Sequence, residues 1–132
     1  MDATLTGVTV NGTFVNNSDR NAKQDFASVS SAQLLEKVLQ LPLSEWSYKV
    51  DPTTRHIGPM AQDFHSLFNL GADEKHIAPI DEGGIAFAAI QGLNQKVEEK
   101  NVEIQTLKLQ NASLTERLNE LEAAVKQLVA KR

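Results

Sequence analysis

A serine and a lysine five positions apart, Ser18 and Lys23, are the residues of this sequence best suited to chemistry. A serine hydroxyl becomes a useful nucleophile only when a base takes its proton. A neutral lysine amine can be that base, but lysine in water titrates near about 10.4. Bringing it to neutrality near pH 7 takes about 4 to 5 kcal/mol of differential stabilisation, and desolvation is the usual means. Arg20 is near enough in sequence to repel the ammonium or to orient a carbonyl. The pair alone is weak evidence, because a solvated turn is the commoner origin of such a spacing. Other candidates are weaker still. His56, His65 and His76 lack a second ligand at metal spacing and read as structural or surface residues. Asp81-Glu82-Gly83-Gly84 lacks the lysine and threonine of a phosphate loop and reads as a turn. The sequons at Asn11, Asn16 and Asn111 read as chance matches. No cofactor or metal motif is present.

The elements that must position this pair are built from 132 residues, enough for one compact domain or for a smaller domain with an extension. Aromatics are only 5%, so the core is aliphatic and small. Thirteen basic residues against 17 acidic give a net charge of −4, which leaves no surplus for neutralising nucleic-acid phosphates. No cysteine is present, which excludes disulfides and thiolate chemistry. No apolar run reaches the length of about 18 residues that a membrane span needs, and no signal peptide follows Met1.

Three zones follow along the chain. Thr4–Val15 has strand and hairpin grammar, with Asn11-Gly12 as its turn. It is too short to stand alone and is expected to end a β-rich stalk, as an excised piece of a longer chain. Residues 18–88 mix helix and strand. Ser30 to Gln33 has capping-box spacing, Leu34, Leu35, Val38, Leu39 and Leu41 follow at helical intervals, and Pro42 ends the run. Trp46, Tyr48 and Val50 alternate as in a half-buried strand. Asp51 to Thr54 reads as a turn, Pro59 as the first residue of a helix with Met60, Phe64, Leu67 and Phe68 on its apolar face, and Ile77–Ile80 as a short strand.

The third zone is the most regular. Ile90, Val97, Ile104, Asn111, Leu118 and Val125 take position a of a heptad, and Leu93, Lys100, Leu107, Leu114, Leu121 and Leu128 take position d. Only Lys100 and Asn111 among these are polar. Such spacing over more than five heptads specifies a coiled coil. In a parallel arrangement Glu103 faces Lys108 and Arg117 faces Glu122 across the g–e flanks, with no like-charged pair. β-branched residues at a with leucine at d lean towards two strands.

Four blocks together resemble one family. Ser18-Asp19-Arg20-Asn21-Ala22-Lys23-Gln24-Asp25 is similar to the opening of the peptidase S74 family, the C-terminal intramolecular chaperone domains of phage tail spikes and tail fibres, with a related domain in the myelin regulatory factor family. Leu35–Tyr48 resembles its leucine-rich helix and following strand. His56 to Asp63 resembles its Gly-x-x-Ala-Gln-Glu block, with Asp63 in place of the usual Glu. Ile90 to Gln95 resembles the lead into its terminal coiled coil. Asn21 and Asp63 are the departures.

The resemblance implies an α+β fold: an upstream β-stalk end over 1–17, a chaperone and autoprotease domain over 18–88, and a parallel coiled coil over 89–132. It implies a homotrimer, three strands where the a/d rule leans to two, whose partner is the β-stalk of the same polypeptide, with no nucleic acid and no membrane. Ser18 matches the family nucleophile and Lys23 its general base. Cleavage is then expected at Asn17–Ser18, with Asp19, Arg20 and Gln62 as assisting candidates. Folding would proceed in the host or bacterial cytoplasm, with the parent in a virion fibre or on a cell surface. A trimerisation module that stays attached is the alternative. A DNA-binding or membrane-linked regulator is disfavoured, because no basic stretch precedes the heptads and no apolar span follows Ala88.

Overall fold

The computed structural model describes residues 7–132. Its element order is a single 3-10 turn (Arg20–Ala22), α1 (Ser31–Gln40), β1 (Ser44–Tyr48), β2 (Asp51–Gly58), α2 (Ala61–Phe68) and α3 (Pro79–Ala130). This is a small α+β domain with a two-stranded antiparallel sheet and a long C-terminal helix. The chain divides into two compact units, one ending at Gly92 and one running from Leu93 to Arg132. No helix among the described residues is long and apolar enough to cross a membrane.

Local chemistry explains most of the elements in the first unit. The Ser30 side chain accepts a hydrogen bond from the Gln33 N–H and caps α1. Pro42 disfavours a helical residue before it, and α1 ends at Gln40. In the hairpin Ser44 pairs with Gly58, Glu45 with Ile57, Trp46 with His56 and Tyr48 with Asp51. Trp46, Tyr48 and His56 gather on the sheet with ring centroids 4.9 to 5.5 Å apart. The Trp46 indole N–H is buried without an acceptor among the described residues. Phe64 and Phe68, one helical turn apart on α2, meet Ile85 of α3. Leu34, Val38, Leu41, Leu67 and Ile77 pack around them, so α1, α2 and the start of α3 share one small core.

Four sequence expectations are corrected. The hairpin turn is Lys49-Val50, and Asp51 already belongs to β2. The turn chemistry of Asp51 to Thr54 is used inside the strand. The Asp51 carboxylate accepts from the Thr53 hydroxyl at 2.9 Å and the Thr54 N–H at 3.4 Å. Hydrogen bonds from Thr54 and then Thr53 hold its carboxyl below the usual range. The pairing slips there, with residues 52–55 of β2 lying opposite Ser47 alone. Secondly, α2 begins at Ala61 with Met60 as its cap residue, so Pro59 lies just outside it.

Thirdly, Ile77–Ile80 forms no strand. α3 starts at Pro79 and runs through Gly83-Gly84. Proline suits a first helical turn, and Asp81 and Glu82 lie where the helix dipole favours negative charge. Burial of Ile85, Ala88 and Ala89 offsets the cost of two helical glycines, about 1 kcal/mol each. Fourthly, residues 7–17 form no strand among the described residues, and Asn11-Gly12 is only a bend. Thr4 to Thr6 lie outside the described residues.

Gly92 is where α1 approaches α3 most closely. A Cβ on Gly92 would land on the Ser31 carbonyl and 3.1 Å from the Leu35 side chain. Beside it the Ser31 hydroxyl reaches Gln91 Oε1 at 3.3 Å. Alanine ordinarily favours a helix over glycine by about 1 kcal/mol, but overpacking against a backbone carbonyl costs about 1 to 3 kcal/mol. Gly92→Ala is therefore expected to lower the thermal midpoint by several degrees in circular dichroism, the opposite of what helix propensity alone dictates.

Candidate active site

The segment that carries Ser18 and Lys23 is a chain reversal held by its own side chains. Five fully extended residues span up to about 17 Å, so a turn is needed to bring the two side chains together. Asp19 supplies it. Its carboxylate accepts from the Asn21 backbone N–H at 3.0 Å and the Asn21 side-chain amide at 3.2 Å. That caps the 3-10 turn Arg20–Ala22. The Ala22 N–H then bonds the Asp19 carbonyl at 3.1 Å and the Lys23 N–H bonds the Arg20 carbonyl at 3.2 Å. Upstream, Asn17 Oδ1 accepts from the Asp19 N–H at 3.1 Å, bridging the Asn17–Ser18 peptide bond. Asp25, two residues after Lys23, is in the left-handed region at φ 56°, which aspartate tolerates better than most residues.

The turn sets Lys23 Nζ 2.7 Å from Ser18 Oγ. In this contact the ammonium donates and the hydroxyl oxygen accepts. Loss of one ammonium proton reverses it: the amine nitrogen then has a lone pair within reach of the hydroxyl proton. Both residues are exposed in the single chain, as is everything from Gly7 to Ser30.

The other candidates fall in different places. Asp19 acts on the turn. Arg20 gives its carbonyl to the turn, and its side chain makes no hydrogen bond or ion pair among the described residues. Gln62 lies in the first turn of α2, beside a groove lined by the hairpin, and no hydrogen bond joins it to Ser18 or Lys23 among the described residues. His56 is in the aromatic cluster, His65 Nδ1 is 3.2 Å from the Leu70 carbonyl, and His76 Nδ1 is 2.9 Å from the Asp73 carboxylate. Hydrogen bonds from the Lys75 N–H and then from His76 hold the Asp73 carboxyl below its ordinary range. No group of three or more metal-ligating side chains occurs among the described residues.

Sequence reasoning singled out Ser18 and Lys23 but not the device that brings them together. The signal was present: an aspartate two residues before an asparagine is a common side-chain-capped turn, and Asn17 adds a second one upstream.

No curated protein matches this chain. Residues 18–69 match the family model Peptidase_S74, described as chaperone of endosialidase. The match opens on Ser18 itself and takes in Lys23, α1, the hairpin and α2, while the block at Ile90 and the heptads lie beyond it. This segment, which holds both halves of the 2.7 Å contact, is what the chain shares with the Peptidase_S74 family, chaperone of endosialidase.

Proposed function

We propose that the chain is a C-terminal intramolecular chaperone: it assembles as a homotrimer through α3, templates the folding of an upstream β-stalk, and releases itself by cutting Asn17–Ser18. The observation that carries the chemical half is the contact between Ser18 Oγ and Lys23 Nζ at 2.7 Å. Lys23, as neutral amine, takes the Ser18 proton while Oγ attacks the Asn17 carbonyl carbon. This closes a five-membered ring, whereas attack on the carbonyl of Ser18 itself would need a strained four-membered one. The C–N bond then breaks, the Ser18 nitrogen takes up a proton, and an ester links Asn17 to Ser18 Oγ. Water hydrolyses the ester, leaving a carboxylate on Asn17 and a free amine on Ser18. The reaction runs once per chain.

The assembly half rests on α3. The apolar a and d side chains from Ile90 to Leu128 are between 46% and 69% exposed, although full burial of one is worth roughly 1.5 to 3 kcal/mol. A strict seven-residue repeat drifts about 20° per heptad on a straight helix, so partners must supercoil to cover it. Lys100 interrupts the stripe at d, where Glu103 at 2.9 Å and then the Glu99 charge hold its ammonium above the ordinary range. Lys100 and the Asn111 layer are tolerable in a trimer. A parallel coil fixes register at the C-termini and raises the effective concentration of stalk strands to about millimolar. That removes the slow step in forming intertwined β-structure. Once wound, the stalk persists behind a kinetic barrier after its template leaves.

A second reading, an uncut trimerisation module, is favoured by the exposure of Lys23 in the single chain. Intact mass spectrometry separates the two. Autoproteolysis yields a product beginning at Ser18, and both Ser18→Ala and Lys23→Arg abolish it while sedimentation shows the oligomer unchanged. Cutting that persists in Lys23→Arg eliminates the dyad. Loss of a side-chain cap costs about 1 kcal/mol, so Asp19→Ala is expected to slow cutting roughly fivefold, read as product against time, without changing the oligomer. Leu114→Asp with Leu118→Asp should give a monomer that leaves Asn17–Ser18 intact. A monomer that still cuts would show that assembly is not what activates Lys23.

A further inference from the structure

Between Pro79 and Gly92, α3 has two apolar sides, and its own domain uses one. Ile85, Ala88, Ala89 and Gly92 are buried. At 3.6 residues per turn the opposite side presents Ile80, Gly83, Phe87 and Ile90. Phe87 is 72% exposed. It lies outside the a/d stripe, at an e position, where the heptads further on carry Lys108 and Glu122. From Gly83 to Gln95 there is no charged residue. Gly83 and Gly84 sit inside the helix at a cost of about 1 kcal/mol each relative to alanine. A Cβ on either would meet nothing within 4 Å. Among the described residues nothing therefore accounts for these two glycines or for the bare phenylalanine.

We propose that this side of α3 is a contact between copies of the chain, with the Phe87 ring of one copy seated over the notch at Gly83 and Gly84 of another. The inference rests on the coiled-coil reading of α3 and adds a contact within the domain that it does not contain. Three observations select a second copy as occupant. The surface continues the heptad frame, since Gly83 precedes Ile90 by seven residues at position a. It lacks charge on both the protruding and the receding part. It also holds an exposed ring and a stretch without side chains on one helix, so that one copy can supply the knob and another the gap. The contact would tie the domain that carries Ser18 and Lys23 to the oligomer.

The chain has no cysteine, so single-cysteine variants report cleanly. Phe87, Leu118 and Val102 are 72%, 57% and 68% exposed in the single chain, and Val102 is at the outward f position. Differences in labelling by a water-soluble maleimide therefore arise from assembly. Phe87→Cys and Leu118→Cys are expected to react at least tenfold more slowly than Val102→Cys in the full-length protein. If Leu118→Cys is protected while Phe87→Cys reacts like Val102→Cys, the contact is wrong and the coiled coil stands. Equal rates for all three overturn the coiled coil and this contact together. Gly83→Ala gives an independent reading by sedimentation equilibrium. Helix propensity and open space in the single chain both favour alanine, so a several-fold weaker association supports the notch, and an unchanged or stronger one overturns it.

Discussion

Among the described residues, six apolar side chains are buried: Leu35, Phe64, Phe68, Ile85, Ala88 and Ala89. Everything else about this molecule follows from how little that is. One ring pair and a few aliphatic contacts tie α1, α2 and the start of α3 together, while large apolar side chains from Val8 to Val129 stay open to water. A two-stranded hairpin is marginal by itself, and residues 7–17 form no strand among the described residues. The proposed assembly would add stability by covering this surface with copies of the chain. The long regular stripe on α3 is the largest apolar surface available to it.

The same shortage of burial bears on the chemistry. The Ser18–Lys23 contact is short because the turn is short, and a turn closed by Asp19 and Asn21 needs no domain behind it. Geometry is thus available to the single chain, but desolvation is not. In the proposed mechanism these two requirements, distance and dryness, fall to different parts of the molecule. Local hydrogen bonding fixes the first, and assembly around the stalk junction is the proposed source of the second. In the proposed mechanism, that separation sets Ser18 and Lys23 in register before assembly without allowing cutting before assembly.

How far the fold was legible depended on whether a residue's usual meaning was also its local one. Ser30 and Pro42 mean the same thing in any context, so α1 was readable from them, and the alternation at Trp46 and Tyr48 gave β1. Asp51-Pro52-Thr53-Thr54 is turn chemistry wherever it occurs, and it does form carboxylate–threonine hydrogen bonds here. Its use within β2, after a turn at the unremarked Lys49-Val50, depends on cross-strand register, which the local sequence does not encode. Gly83-Gly84 reads as a helix breaker by propensity, and tertiary burial of Ile85, Ala88 and Ala89 overrides it. The family match likewise stops at residue 69, whereas the heptads are visible from periodicity alone.

The candidate site shows the same division between what spacing says and what packing adds. A serine and a lysine five apart specify nothing until the residues between them are seen to fold back. The capping aspartate does this through the two hydrogen bonds it accepts from Asn21. The departure at Asn21 is therefore not neutral for geometry, since its amide supplies one of those bonds. The departure at Asp63 is of another kind. It sits in the first turn of α2, where a carboxylate of either length is favoured by the helix dipole. A shorter acid there preserves the helix start, and the Ser18–Lys23 turn is closed by hydrogen bonds of its own.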